Sequence, residues 1–324
     1  VTQHLCDTFK DTIDINMVDD DGYTACMHLI TDRNRYVRTP YGTNTHSLCK
    51  MEEHEDTSDK VIQYLYDMFK DTIDINKQNK KGYTALMLAV RHNSKTKVIQ
   101  YFCDTFKDAI DINKQDNGGN TAFMVAIRYN MNIAVIQYLY DTFKNSIDIY
   151  KQNNNGCTPL MIAAGCDTNV NVIQYLYDTF KDTIDINKQD KSGYTALILA
   201  AGYNTNVEVI QYLCTTFKDT INITKERNYL FFTTFMLASS FNTNIAVIQY
   251  LRNTFKNKIN INIKDIFGRT TFMVAAEYNT NVAVIQYLYN TFKNTIDINQ
   301  QDTCGSTIFM VAVKRNTNVT VIQY

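Results

Sequence analysis

Polar and apolar positions between residues 184 and 219 fall into three successive patterns. IDINKQDKSG, residues 184–193, alternates apolar with polar side chains and closes on turn formers, which predicts an extended segment running into a tight turn around Gly193. TALILAAGY, residues 195–203, is built from good helix formers with apolar residues on a helical face, and Thr195 suits an N-cap, so a short helix is predicted. In VEVIQYLCTTFKD, residues 207–219, Val209, Ile210, Leu213 and Phe217 lie 1, 3 and 4 residues apart. They form one stripe of a second, longer helix whose polar face carries Glu208, Gln211 and Lys218. Asn204 stands between the helices, where a helix end takes a residue tolerant of the left-handed conformation.

That succession recurs along the chain. VIQY begins at Val61, Val98, Val135, Val172, Val209, Val247, Val284 and Val321, once every 37 residues with a single interval of 38. A degenerate copy, VTQHLCDTFKDTIDIN, opens the chain 60 residues before Val61, so the first unit carries an insertion. Residues 32–60 of that insertion have mixed charge, Pro40 and Gly42, which predicts a surface excursion. Asn93, Asn130, Asp167, Asn242, Asn279 and Asn316 occupy the place of Asn204. Positions constant between copies serve a common framework, and positions that differ are available for something else.

Burial explains the repetition. One unit cannot cover its own apolar face, so Val172, Ile173, Leu176 and Phe180 must pack on their equivalents in the next, each buried Leu or Phe contributing about 1.5–3 kcal/mol. The expected organisation is one all-α array of about eight to nine helix-loop-helix units over residues 1–324, joined by hairpin-like turns. The chain begins and ends inside a second helix without a polar capping unit, so it is expected to be a segment of a longer array.

Composition narrows the chemistry. Hydrophobic residues make up 45% and charged residues 20% of 324, as in a packed protein. A formal net charge of −1, with lysines spread over every unit, leaves no basic stripe for phosphate contacts, so no nucleic-acid partner is expected. No membrane-length apolar run and no signal-peptide pattern occur, and the expected compartment is the cytosol or nucleus. The eight cysteines form no C-x-x-C and no Cys/His cluster, so reduced thiols and no metal or cofactor are expected, with Cys6, Cys103 and Cys214 as small apolar fillers. The recurring Asp of DTIDIN sits at a loop position and reads as a solvated turn carboxylate. His4, His28, His46, His54 and His92 share no spacing, and no phosphate loop or nucleophile motif occurs, so no enzyme activity is expected. The abundance of Asn, Ile, Lys and Tyr has the bias of an AT-rich genome.

Extended turn, helix, loop, helix describes a helical-pair solenoid, and here the residues resemble the ankyrin repeat family. TPLMIA at residues 158–163 is similar to the family's T-P-L-H-x-A, DINKQDKSGYTALILAA to its D-V-N-x-x-D-x-x-G-x-T-P-L-H-x-A-A, and VIQYL to its I-V-x-L-L. Two departures stand out. The usual unit is about 33 residues, whereas here one residue (Asn206) is added between the helices and about three after the second, which is expected to lengthen that helix. The signature His is Met at 87, 124, 161, 236, 273 and 310, which removes the hydrogen bond it would make to the turn.

The resemblance implies a protein-binding module that holds its partner along a concave strip of turn tips and first-helix ends. Carried over, the tips include Lys80, Lys81, Tyr83, Asn117, Asn120, Cys157, Tyr194, Ile266, Phe267, Arg269 and Ser306. The helix ends are Arg91, His92, Arg128, Tyr129, Cys166, Tyr203, Phe241, Glu277, Tyr278, Lys314 and Arg315. One turn departs from the others. ERNYLFFTT, residues 226–234, lacks glycine and places Tyr229, Leu230, Phe231 and Phe232 where other copies have Lys, Asn or Ser, and the next tip is DIFGR. With Phe241 and Tyr278 these residues are candidates for an exposed apolar patch across two units; the alternative is that the turn tucks its aromatics into the core between units. Long arrays of this family often serve as adaptor scaffolds, including in microbes and large DNA viruses that manipulate host cells. The expected function is accordingly a protein-binding scaffold, with self-assembly of stacked copies into a fibre or shell as the structural alternative.

Overall fold

The computed structural model describes residues 12–31, 57–92, 96–130, 132–166, 169–181, 183–218, 220 and 234–324. They fall into two compact units, Val1–Asn154 and Asn155–Tyr324, each built from pairs of antiparallel helices. In the first unit α1 (Ala25–Thr31), α3 (Ala85–His92) and α5 (Ala122–Val125) form one row, and α2 (Thr57–Phe69), α4 (Thr96–Phe106) and α6 (Ile133–Phe143) the other. A π-helical turn, Ala126–Asn130, continues α5. In the second unit the first-helix row is α7 (Pro159–Gly165), α9 (Ala196–Tyr203), α11 (Thr234–Phe241), α13 (Thr271–Tyr278) and α15 (Ile308–Arg315). The second-helix row is α8 (Val170–Phe180), α10 (Val207–Thr216), α12 (Ile245–Thr254), α14 (Val282–Phe292) and α16 (Val319–Gln323). Helix Thr57–Phe69 begins inside the expected insertion, so the excursion ends before Lys60; residues 32–56 lie outside the described residues. Among the described residues no sheet forms, and β-pairing is confined to the bridge Lys264–Thr270.

The apolar stripe buries as its spacing requires. Val172, Ile173, Leu176, Val209, Ile210 and Leu213 are fully buried, and Phe180 is half-buried. The filler cysteines Cys103 and Cys214 are buried, and burial pushes the Cys214 thiol up to about 12; Cys6 lies outside the described residues.

Each unit is delimited by side chains that satisfy helix ends. The hydroxyl of Thr195 accepts from the backbone N–H of Ile198, and Thr121, Thr158, Thr270 and Thr307 act alike. Asn206, the added residue, N-caps α10 by accepting from the Glu208 N–H, and Asn132, Asn169, Asn244, Asn281 and Asn318 repeat this. The expected lengthening of the second helix does not occur. Helix α8 ends at Phe180, where the Thr183 hydroxyl donates to the Phe180 carbonyl (2.9 Å) and turns the chain. The methionines do not leave the turn without an acceptor: the Met87 and Met161 sulfurs accept from the Thr84 and Thr158 N–H groups at 3.5 and 3.4 Å. A thioether is a weak acceptor, so this is a weaker form of the bond that histidine would give.

The tips are Asx turns. Asp190 Oδ1 accepts from the N–H groups of Ser192 and Tyr194, and Asp116, Asp265 and Asp302 do the same in their repeats. The DTIDIN carboxylates Asp74, Asp111, Asp148, Asp185 and Asp297 are exposed, as expected.

Asn204 is not left-handed. It is extended, with φ −93° and ψ 119°, because its side chain reaches across to the preceding repeat. There its amide donates to the carbonyls of Ala164 and Cys166. Asn242 donates to Ala201 and Asn204, Asn279 to Ser239 and Asn242, and Asn316 to Ala276 and Asn279, at 2.8–2.9 Å. This buried amide ladder closes carbonyls that a helix end otherwise leaves open and fixes the offset between consecutive first helices.

Candidate partner-binding groove

The ladder determines what happens one residue earlier. Tyr203, Phe241 and Tyr278 are the last residues of α9, α11 and α13, each directly preceding a ladder asparagine, so their rings come into register. Tyr203 stacks on Phe241 with centroids 5.8 Å apart and planes 29° from parallel, and Phe241 on Tyr278 at 5.3 Å and 30°. Close helix approach underlies this arrangement. A Cβ on Gly202 would lie 2.6 Å from Leu237 Cδ2, so glycine is what lets α9 meet α11. Beneath the rings Tyr194 and Tyr278 rest on a core of Ile198, Met236, Leu237 and Val274.

The aromatic row lines a groove of about 430 Å3 in the second unit. Phe267 and Arg269 of one tip, Asp302, Cys304 and Ser306 of the next, and Val311, Lys314 and Arg315 of α15 line it as well. Tyr203 is 43% exposed, Phe241 39% and Phe267 45%, so large apolar surface faces solvent inside a concave site.

Under one end lies a charged cluster. Arg269 is only 8% exposed; its Nη2 lies 2.7 Å from Asp265 Oδ2 and its Nη1 2.7 Å from Glu277 Oε2, and Nη1 also donates to the Tyr278 hydroxyl. Burial opposes its charge, but the bonds to Asp265 and Tyr278 and the fields of Asp265 and Glu277 outweigh this and raise its pKa. Arg315 reaches back from α15 to Glu277 Oε1 (Nε, 3.2 Å) and the Tyr278 hydroxyl (Nη1, 3.0 Å). Burial, then the neighbouring phenol of Tyr203 and carboxylate of Asp190, push Tyr194 up to about 12; burial and Asp190 also raise Tyr203. Both phenols therefore stay neutral hydrogen-bonding groups at physiological pH.

The first unit carries a smaller strip of different character. Arg91, near the end of α3, donates from Nη1 to the Tyr83 hydroxyl (2.6 Å). Its guanidinium carbon lies 5.2 Å from the Tyr83 ring centroid and 4.2 Å from that of Tyr129. Arg128 lies 5.7 Å from the Tyr129 centroid.

Of the residues expected on the strip, Tyr194, Tyr203, Phe241, Phe267, Arg269, Glu277, Tyr278, Ser306, Lys314 and Arg315 line this groove. Ile266 is exposed beside Phe267 without lining it, and Tyr129 belongs to the first unit. Tyr229, Leu230, Phe231 and Phe232 lie outside the described residues. One expectation needs correction. Arg269 and Glu277 line the groove but are buried rather than exposed, because each neutralises the other. Their spacing of eight residues, shared with Tyr83 and Arg91, is the signal that tip and helix end meet. Asp302, Cys304 and Val311 carried no expectation and line the groove because the next repeat stacks there.

A family model described as ankyrin repeats, in three copies, matches residues 54–153, 133–227 and 235–324. The chain belongs to the ankyrin repeat family. Among solved structures it is similar to the ankyrin repeat domain of Bcl-3, a unique member of the IkappaB protein family. That similarity has 18% identity and a TM-score of 0.52, covers 83% of this chain and 99% of the other, and shows the fold alone. No curated protein matches the chain. Ankyrin repeats are in general protein–protein interaction modules, and the fold is the ankyrin solenoid expected from the repeat. Among the described residues no His, Cys, Asp or Glu cluster suits a metal ion, and no helix is long and apolar enough to cross a membrane.

Proposed function

We propose that this chain is a scaffold that holds a partner protein along its tips and first-helix ends, with the Tyr203–Phe241–Tyr278 row as the anchor. The observation that carries this reading is the row itself. Three aromatic rings held in register by buried asparagines, yet left half-open in a concave groove, form a rigid apolar surface that loses little side-chain entropy on binding. A cytosolic or nuclear setting, with recognition in this segment and no catalytic role, completes the reading. Affinity capture with the immobilised chain tests it: a partner retained by the wild type should be lost from the Tyr203→Ala, Phe241→Ala double variant. Equal retention of that partner by both would contradict it.

A further inference from the structure

The two strips treat their arginines in opposite ways. In the second unit Arg269 is matched by two buried carboxylates, Asp265 and Glu277. In the first unit Arg91 is held by aromatic rings instead, between Tyr83 and Tyr129, with one hydrogen bond to a neutral phenol. Among the described residues no carboxylate pairs with Arg91, Arg128, Lys80 or Lys81, while Arg128, Lys80 and Lys81 are exposed. Asp116, in the turn beside Tyr83, is buried, and its carboxylate is occupied by the N–H groups of Gly118 and Asn120 and the Asn120 amide. A guanidinium fixed by stacking keeps its remaining N–H donors in a set direction and its charge unmatched, which is the preorganised state for a carboxylate.

Resting on the scaffold reading above, we infer that the strip of Lys80, Lys81, Arg91 and Arg128 recognises an acidic segment of the protein partner, with Arg91 as the specificity-determining residue. The partner's Asp or Glu side chains meet this strip, while its apolar side chains meet aromatic rings elsewhere. Single-stranded nucleic acid, which also uses cations and aromatics, fits less well. Its bases need open ring faces, and the guanidinium of Arg91 already lies over both Tyr83 and Tyr129.

Fluorescence anisotropy of the intact chain with labelled hexaglutamate, hexaglutamine and oligothymidylate tests the inference. Hexaglutamate is expected to bind with an affinity that falls with added salt, and hexaglutamine to bind at least about tenfold more weakly. Arg91→Gln should weaken hexaglutamate about tenfold or more, and Lys256→Gln, at an exposed lysine just after α12 that belongs to neither strip, should leave it unchanged. Lys80→Gln with Lys81→Gln, on an exposed tip, gives the same direction of change should Arg91→Gln lower stability. Equal binding of hexaglutamate and hexaglutamine, tighter binding of oligothymidylate, or indifference to both Arg91→Gln and the double lysine variant would overturn it. If hexaglutamate binding fails while partner capture still needs Tyr203 and Phe241, this inference alone falls. If hexaglutamate binding holds while capture ignores the aromatic variants, the aromatic anchor falls instead.

Discussion

Glu277 and Arg269, eight residues apart, are joined at 2.7 Å beneath the ring of Tyr278, with Asp265 completing the buried cluster. Such a cluster is a costly way to gain stability, because desolvation offsets much of the Coulomb attraction, yet losing one member strands another charge. Glu277→Ala should therefore lower unfolding stability by about 3 kcal/mol, read from the urea midpoint. Arg315→Ala removes an exposed partner while the buried Glu277 keeps Arg269, and should cost about 1 kcal/mol or less. Equal effects would show that the burial of Glu277 carries no special weight.

The ladder predicts its own sensitivity. Asn242→Ala removes the amide that satisfies the buried carbonyls of Ala201 and Asn204 and should cost about 2 kcal/mol or more. Because Phe241 is its neighbour, near-ultraviolet circular dichroism should change as well. A loss of stability without any change in the aromatic signal would break the proposed link between ladder and ring register.

The framework was legible because the chain repeats it. Copies compared with one another exposed the helix pair, the tip and its glycine, and the apolar stripe of Val209, Ile210 and Leu213. Legibility ended where one repeat acts on another. The asparagine after each first helix was visible as a constant, but its role is to bond a carbonyl 37 to 41 residues away, which only stacking reveals. Arg269 misled for the same reason: a charged residue in a tip reads as exposed until the helix end that pairs with it is in place.

Two tip glycines separate backbone strain from contact. Gly82 has φ +78°, and a Cβ there would lie 2.5 Å from the backbone nitrogen of Asn117 in the next repeat; Gly305 has φ +77° with nothing within 4 Å. Gly305→Ala should cost about 1 kcal/mol from conformation alone, and Gly82→Ala distinctly more. Thermal melts that show equal losses would remove the contact contribution.

Thiol chemistry should divide by burial. Cys304 is exposed in the groove and should react with an aromatic disulfide reagent at pH 8, whereas Cys26 and Cys214, held up to about 12 by burial, should react only on unfolding. A folded value raised in this way leaves stability whole below the ordinary thiol value of about 8.5. Stability is then lost as pH rises from there through the folded value, so urea midpoints should fall above about pH 9. Prompt reaction of Cys214 in the native protein would contradict its placement.

The account rests most heavily on the aromatic row as a binding anchor. The affinity of a captured partner for the wild type and for Phe241→Asp, measured beside the thermal melts of both, tests this most directly. Phe241 is half-open, so the melting temperature should move little, while affinity should fall by about 2 kcal/mol, roughly thirtyfold. Unchanged affinity, or a melting temperature that collapses before any affinity is lost, would contradict it.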